Sequence, residues 1–349
     1  MVIQTSSSKK DIRAISIEEI KEFMTNNNEK PFHAKQVYEW LWKNSAFSFE
    51  EMTNLSKKIR ELLNSNFVIN SIKINSQQKS KDGTIKIAFG LFDGNVVEGV
   101  LIPSSDRMTA CISSQVGCAL ACEFCATGQF GFIRNLNFDE IYDQVVIIAK
   151  TALDNYKIPL SNIVYMGMGE PMLNYQNVMK SIEIITSADG LAMSSQRITV
   201  STVGIATKIK QLGDDNIKFN LALSLHTAND NKRSSIIPVN KQNSIKKLIE
   251  ALKYFHSKTN KRITIEYILF KNFNDSLSDA KELAGFCKNF PVKINIIEYN
   301  TVEGNGFSKA DNEKMNEFAD FMKSKNLIVN IRKSRGKDID AACGQLANR

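Results

Sequence analysis

The chain has 349 residues, 43% of them hydrophobic, and carries 45 Lys and Arg against 37 Asp and Glu, a formal net charge of +8. That is enough chain for one large core plus an appendage, and no stretch approaches the ~18 apolar residues that cross a bilayer. The start MVIQTSSSKK is polar, so neither secretion nor membrane insertion is expected, and the six cysteines read as metal-binding or catalytic thiols of a reducing, cytoplasmic compartment rather than as three disulfides.

From Ser16 to Phe67 apolar residues recur at helical spacing, as in IEEIKEFM and FHAKQVYEWLWK. This predicts a small helical N-terminal domain over residues 1–70, with Thr53 or Asn54 capping its last helix. Residues Ile72 to Val100 alternate instead, and Asp93-Gly94 is a hairpin signal joining two strands, so 71–104 reads as a β extension. Between Ser56 and Gly90 seven cations (Lys57, Lys58, Arg60, Lys73, Lys79, Lys81, Lys86) stand against Glu61 and Asp82, a local excess of five. A solvated lysine-rich surface explains that excess as well as a polyanion partner does.

Beyond Arg107 six short β-branched segments follow: RMTACIS, NIVYMGM, RITVSTVG, KFNLALSLH, RITIEYILF and VKINIIEYN. Amphipathic stretches such as FDEIYDQVVIIAKTAL, VMKSIEIITSA, SIKKLIEALKYFHS and NEKMNEFADFMKSK lie between and after them. The pattern is that of βα units and a parallel sheet. The fold class is α/β: a partial (βα)6 TIM-like barrel over 105–325, followed by a C-terminal segment, 326–349.

In GCALACEFCATG, Cys118, Cys122 and Cys125 are spaced by four and three residues in the loop after the first barrel strand. Four-thiolate ferredoxin clusters need one more ligand, and zinc sites usually show two CxxC-like pairs or nearby histidines. Three thiolates therefore leave one iron of a cluster open to a substrate, as catalytic sites require. The second strand ends in Gly167-Met168-Gly169-Glu170-Pro171, where glycines allow close backbone approach and a carboxylate can accept from an ammonium group. Ser201, Ser224, His226 and Asn300 occupy the ends of strands three, four and six, where such barrels bind ligands. Taken alone, each polar side chain there reads equally well as buried and satisfied.

The CxxxCxxC triplet, with Phe124 just before its last cysteine, resembles the radical SAM superfamily motif. Together with MGMGEPMLN, SLHTANDNKRSSIIPVN and RGKDIDAACGQL, the stretch from Val97 to the C-terminus resembles the RlmN/Cfr family of RNA adenosine methyltransferases. The resemblance implies a [4Fe-4S] cluster on Cys118, Cys122 and Cys125, with S-adenosyl-L-methionine (SAM) on the fourth iron. It implies SAM contacts from Gly169, Glu170, Ser201, Ser224, Leu225, His226 and Asn300.

By the same resemblance Cys343 is the methyl carrier: one SAM methylates it, and a second supplies the 5′-deoxyadenosyl radical that takes a hydrogen from that methyl. The carbon then joins adenine, Glu98 removes the C2 proton, and Cys111 releases the product by forming a disulfide. Read without the family, Cys343 is a small helix-core residue, Cys111 a strand-core residue and Glu98 a strand-surface carboxylate. Cys287, in ELAGFCKNF, keeps a structural reading in either case.

The implied partners are 23S rRNA near the peptidyl-transferase centre, tRNA beside the anticodon, and an electron donor such as flavodoxin or ferredoxin. A monomer without membrane contact is expected. Arg332, Lys333, Arg335 and Lys337 bring phosphate-binding charge just ahead of Cys343. Pro171 favours adenine C2 over the C8 position that Cfr-type members methylate, since those carry Ala there. A non-catalytic iron–sulfur RNA-binding protein is the alternative from a different class.

Overall fold

The computed structural model describes residues 9–347; the first eight residues of the polar start and the last two of the C-terminal segment lie outside them. The N-terminal domain comprises β1 (Lys10–Asp11), α1 (Ile17–Asn26), α2 (His33–Trp42), α3 (Lys57–Asn66) and β2 (Phe67–Val68). Ser16 and Glu19 start α1 as a reciprocal capping box, Glu19 N–H donating to Ser16 Oγ at 3.2 Å and Ser16 N–H to Glu19 Oε2 at 2.7 Å. Ser56, not Thr53 or Asn54, caps α3, accepting the Ile59 amide at 3.3 Å. Asn54 is engaged elsewhere: its Oδ1 accepts the Trp40 indole N–H and ties the loop to α2.

The extension and barrel follow as β3 (Lys73–Lys79), β4 (Ile85–Gly90), β5 (Val96–Pro103), β6 (Met108–Cys111), β7 (Gln115–Gly117), α4 (Ala126–Phe130), β8 (Phe132–Asn135), α5 (Phe138–Tyr156) and β9 (Leu160–Tyr165). Then come α6 (Tyr175–Thr186), β10 (Ile198–Thr202), α7 (Ala206–Asp214), β11 (Asn220–Ser224), α8 (Asp230–Ile236), α9 (Ile245–Thr259), β12 (Ile263–Leu269), α10 (Leu277–Cys287), β13 (Val292–Glu298), α11 (Asn312–Ser324) and β14 (Ile328–Arg332). One sheet of ten strands runs β14-β13-β12-β11-β10-β9-β6-β5-β4-β3. Its centre is the six expected barrel strands, side by side and parallel.

The sheet is wider than the alternation pattern predicts. The hairpin turning at Asp93-Gly94 is present, with Gly90 opposite Val96, but β3 adds an antiparallel edge strand and β14 a seventh parallel one at the other edge. Every residue of β3 is exposed, and β14 is nearly so. Edge strands without a buried face carry no hydrophobic period to read. By contrast all seven residues of β12 are buried, as expected of a parallel strand covered on both faces.

The helical domain is joined to α5 by aromatic and ionic contacts. Trp42 meets Tyr142 edge-to-face at 5.2 Å, and the Tyr142 hydroxyl donates to the Trp42 carbonyl. Buried Arg13 donates through Nη1 to both Asp143 oxygens at 2.9 Å and places Nη2 2.9 Å from Asp139. Two buried carboxylates thus share one guanidinium. Burial pushes Asp139 up to about 7, Arg13 opposing it and Asp11, Asp143 and Glu140 reinforcing it. The folded chain therefore holds this proton more tightly than the unfolded chain does, and the stability it contributes is lost as pH rises from about 4 through about 7. The thermal midpoint is expected to fall between pH 5 and pH 8 in wild type. Asp139→Asn, a mimic of the protonated form, should match wild type at the lower pH and lack that part of the decline; parallel curves would refute the assignment.

Candidate active site

The three-cysteine loop is presented by the β7–β8 hairpin, where the Cys118 amide donates to the Gly131 carbonyl at 2.8 Å. Cys125 is the residue before α4. Between them Phe124 is buried, edge-to-face on the His226 ring at 4.9 Å and 5.4 Å from the Phe270 ring. Cys122, Phe124, Ile268, Phe270 and Tyr299 belong to a second apolar cluster, separate from the main core, that floors the loop. All three sulfurs line one cavity of about 210 Å³. Burial pushes Cys118 up to about 11 and Cys122 well above its usual value, with the neighbouring cysteines adding to both. These groups are therefore neutral thiols until a metal displaces their protons. Among the described residues no three His, Cys, Asp or Glu side chains are grouped to hold a metal ion; the three loop cysteines line one cavity, and cysteine thiolates are the usual ligands of iron–sulfur clusters.

The GMGEP loop crosses closely over the end of β6. A Cβ on Gly167 would lie 2.7 Å from the Ile112 carbonyl, and one on Gly169, at φ +97°, 2.5 Å from Gln115 Cβ. Only glycine fits at either place. Gln115 Oε1 accepts the Glu170 amide at 2.8 Å, while the buried Glu170 carboxylate accepts Met172 N–H at 3.1 Å and Val203 N–H at 2.9 Å. Burial raises this carboxyl, and hydrogen bonds from Val203, Thr202 and Met172 oppose the rise. A cationic ligand group beside it would favour the ionised form further.

Ser201 and Ser224, on β10 and β11, place their hydroxyls 3.1 Å apart. His226 has a left-handed backbone at φ +59°, and its Nδ1 accepts the Ile268 amide at 3.1 Å. Burial, then Arg233, holds its pKa down at about 3, so the ring is neutral with its proton on Nε2. Gly169, Glu170, Ser201, Ser224 and His226 all line the cavity. Leu225 and Asn300 are not on that wall. Leu225 is wholly buried in the main core with its amide on the Glu266 carbonyl at 3.0 Å, and Asn300 is buried with Oδ1 lacking a hydrogen-bond partner among the described residues.

Cys111, at the end of β6, and Cys343, in a turn of the C-terminal segment, face the same cavity. The turn rests on α4: the Ala126 amide donates to the Gly344 carbonyl at 2.8 Å and Thr127 Oγ1 to the Leu346 carbonyl at 2.6 Å. Burial pushes Cys111 up to about 12, Cys343 adding to the rise. Solvent reaches Cys343 through the open mouth, yet the surrounding walls raise its thiol too, Arg332 opposing. Both are free thiols here. Glu98 is not on the cavity wall: it is buried on β5, 3.4 Å from Lys86 Nζ, and its Oε2 accepts the Ala347 amide at 2.9 Å. Cys287 is buried in α10 away from the cavity, its thiol pushed up to about 12 by burial. Arg332, Lys333 and Arg335 reach the cavity, whereas Lys337 is paired with Glu298 beside it.

Two residues of this site were given no role from the sequence, although Arg233 lies within SLHTANDNKRSSIIPVN. Arg233, fully buried, donates to the carbonyls of Val203, Ser224 and Leu225 and to Asn240 Oδ1. It clamps the ends of β10 and β11 from behind. Glu266, on β12, faces the cavity with Oε1 on Asn295 Nδ2 at 2.8 Å and Oε2 3.9 Å from Arg332. An arginine inside an otherwise polar run and a glutamate inside an apolar strand were the available signals.

Comparison with known proteins identifies the family. Residues 10–69 match the family model for the ribosomal RNA large subunit methyltransferase N-terminal domain, and residues 112–284 match the radical SAM superfamily. A probable dual-specificity RNA methyltransferase RlmN of Cytophaga hutchinsonii is 57% identical over 99% of this chain and 95% of its own length. The dual-specificity RNA methyltransferase RlmN of Geotalea uraniireducens is 41% identical over 98% and 97%. The crystal structure of a radical SAM methyltransferase from Sphaerobacter thermophilus superposes with a TM-score of 0.92 at 35% identity, covering 97% of this chain and all of that one. The chain belongs to the RlmN family of radical SAM RNA methyltransferases.

Proposed function

We propose that this enzyme methylates C2 of an adenosine in 23S rRNA, and of the adenosine beside the anticodon in tRNA, through an S-methylcysteine on Cys343. The observation that carries the reading is that Cys343 and Cys111 line the same cavity as the three-cysteine loop and Glu170. Membership of the radical SAM superfamily implies an iron–sulfur cluster and SAM, and the three thiols on one wall suit such a cluster. Cys118, Cys122 and Cys125 would hold it, with Gly169, Glu170, Ser201, Ser224, Leu225, His226 and Asn300 around SAM. Bound there, the pair supplies one electron and a 5′-deoxyadenosyl radical.

The chain's own groups would do the rest. The Cys343 sulfur loses its proton and accepts a methyl, and that carbon, after giving up a hydrogen, bridges sulfur and adenine C2. Glu98 would take the C2 proton once the Ala347 amide is drawn off its carboxylate. The Cys111 thiol then attacks the Cys343 sulfur as the carbon–sulfur bond breaks; the thiol's proton goes to the carbon left on the base, making it a methyl, the one electron left over from the radical addition would return to the cluster, and the two cysteines remain as a disulfide for reduction. Arg332, Lys333 and Arg335 at the cavity would bind phosphates beside a base drawn out of its stack. Two relatives named as dual-specificity enzymes support a second RNA class. No helix among the described residues is long and apolar enough to cross a membrane, which is compatible with the cytoplasmic setting expected for such a substrate.

Mass spectrometry of nucleosides from separated rRNA and tRNA, with and without the gene, tests this directly. 2-Methyladenosine should disappear from both pools on deletion. Loss of only 8-methyladenosine would establish the Cfr-type reaction instead, and loss of neither, with no 5′-deoxyadenosine formed by reduced protein, would leave a binding protein.

A further inference from the structure

The sheet extension has no part in the chemistry above, yet it grips the segment that carries Cys343. Between β3 and β4 the chain turns through Ser80–Thr84, the Ser80 amide donating to the Thr84 carbonyl at 2.8 Å. Asp338 accepts the Ser80 hydroxyl on Oδ1 at 2.5 Å and the Lys81 amide on Oδ2 at 3.1 Å. In the opposite direction the Gly336 amide donates to Asp82 Oδ2 at 2.9 Å. The two carboxylates thus cross between segments more than 250 residues apart in the chain, each taking donors from the other side.

These are charge-assisted contacts of the stronger kind. Burial raises Asp82, but the amides of Gly336 and Thr84 with the hydroxyls of Thr84 and Ser80 outweigh it and hold the carboxyl at about 2. The fit is close: a Cβ on Gly336, at φ +67°, would lie 2.7 Å from Ala341 Cβ and 2.9 Å from Thr84 Cγ2. Beyond Cys343 the chain is pinned again, Gly344 and Leu346 on α4 and the Ala347 amide on Glu98 of the extension. Cys343 therefore lies in a loop tied down on both sides. Lys81, Asp82 and Asp338 are exposed, so the barrel core does not depend on the first tie.

We propose that the crossed Asp82 and Asp338 contacts are a latch that positions Cys343, which makes Ser80, Asp82 and Asp338 positioning residues for the methyl-carrying steps. The sulfur must meet the methyl donor, the hydrogen-abstracting radical, adenine C2 and Cys111 in turn, and a loop tethered at one end only would spend most of its time elsewhere. The inference rests on the proposed role of Cys343 for its function but not for its existence.

Full-length, cluster-loaded wild type is compared anaerobically with Asp338→Ala, Ser80→Ala and Ser80→Thr. Amide exchange over residues 336–347 should accelerate about ten-fold or more in the first two variants while β11 and β12 stay unchanged. Closure of the Cys111–Cys343 disulfide by oxidised dithiothreitol should slow by about the same factor, as should uptake of a methyl on Cys343 with the KM for SAM unaltered. Ser80→Thr, which keeps the hydroxyl, should behave as wild type. Unaltered exchange in Asp338→Ala overturns the latch, and faster exchange with undiminished disulfide closure overturns its positioning role. Wild type that takes no methyl at Cys343 would instead sink the carrier reading, with exchange and disulfide closure still judging the latch.

Discussion

Cys111→Ala is expected to leave RNA covalently attached to the protein, about one chain per enzyme, while Cys343→Ala neither traps RNA nor methylates it. The asymmetry follows from the order of bond making. In the proposed reaction Cys343 would form the link to the base, so without it nothing joins; Cys111 would break the link, so without it the adduct persists. Steady-state methylation should fall on the order of 10⁴-fold or more in both, the scale seen when a covalent catalytic group is removed. Neither cysteine belongs to the loop of Cys118, Cys122 and Cys125, so the visible absorption of a cluster held there should persist in both variants. Denaturing gels of reaction mixtures with labelled RNA make the measurement. Normal turnover by Cys111→Ala would end its assignment as the resolving thiol.

Arg233→Met should lower the unfolding free energy by about 3–5 kcal/mol, the range for removing one partner from a buried, charged network. The side chain is fully buried and its guanidinium serves the carbonyls of Val203, Ser224 and Leu225 together with Asn240 Oδ1. Methionine keeps an unbranched apolar stem but donates nothing, and each orphaned buried acceptor costs about 1–3 kcal/mol without being additive. Lysine should not rescue it, because a single ammonium cannot span acceptors laid out for a planar fork. The effect should extend to the ligand site: Val203 N–H also donates to Glu170, and Ser224 and His226 sit on the clamped strand end. SAM should bind more weakly to whatever variant protein folds. Denaturant unfolding together with SAM titration checks both parts, and a loss below about 1 kcal/mol with unchanged SAM affinity would remove Arg233 from the positioning machinery.

The barrel strands were legible because each is a short β-branched run bounded by helices with a 3.6-residue period, and β12 shows how completely such strands are buried. Strands β3 and β14 were not, since an exposed edge imposes no pattern on its side chains. The α3 cap was misplaced within a run of several polar candidates, where only the engagement of Asn54 by Trp40 separates them. Motifs led to the cavity because the loop cysteines and Glu170 must follow particular strand ends. They gave no role to Arg233, though it lies in a quoted motif, or to Glu266, since the importance of both lies in what they touch.

By itself the sequence determined the order of the barrel strands and their helices, the three-thiol loop and the glycines that let the GMGEP turn pass over β6, because these depend on spacing and on local backbone geometry. The tertiary structure alone decided that Cys343 and Cys111, 232 positions apart in the chain (343 − 111), line one cavity, that Glu98 lies behind the tail rather than on the cavity wall, and that the extension holds the segment of Cys343 through Asp82 and Asp338. Those are long-range pairings, fixed by where a ten-stranded sheet brings its two ends, and no local pattern in the chain encodes them.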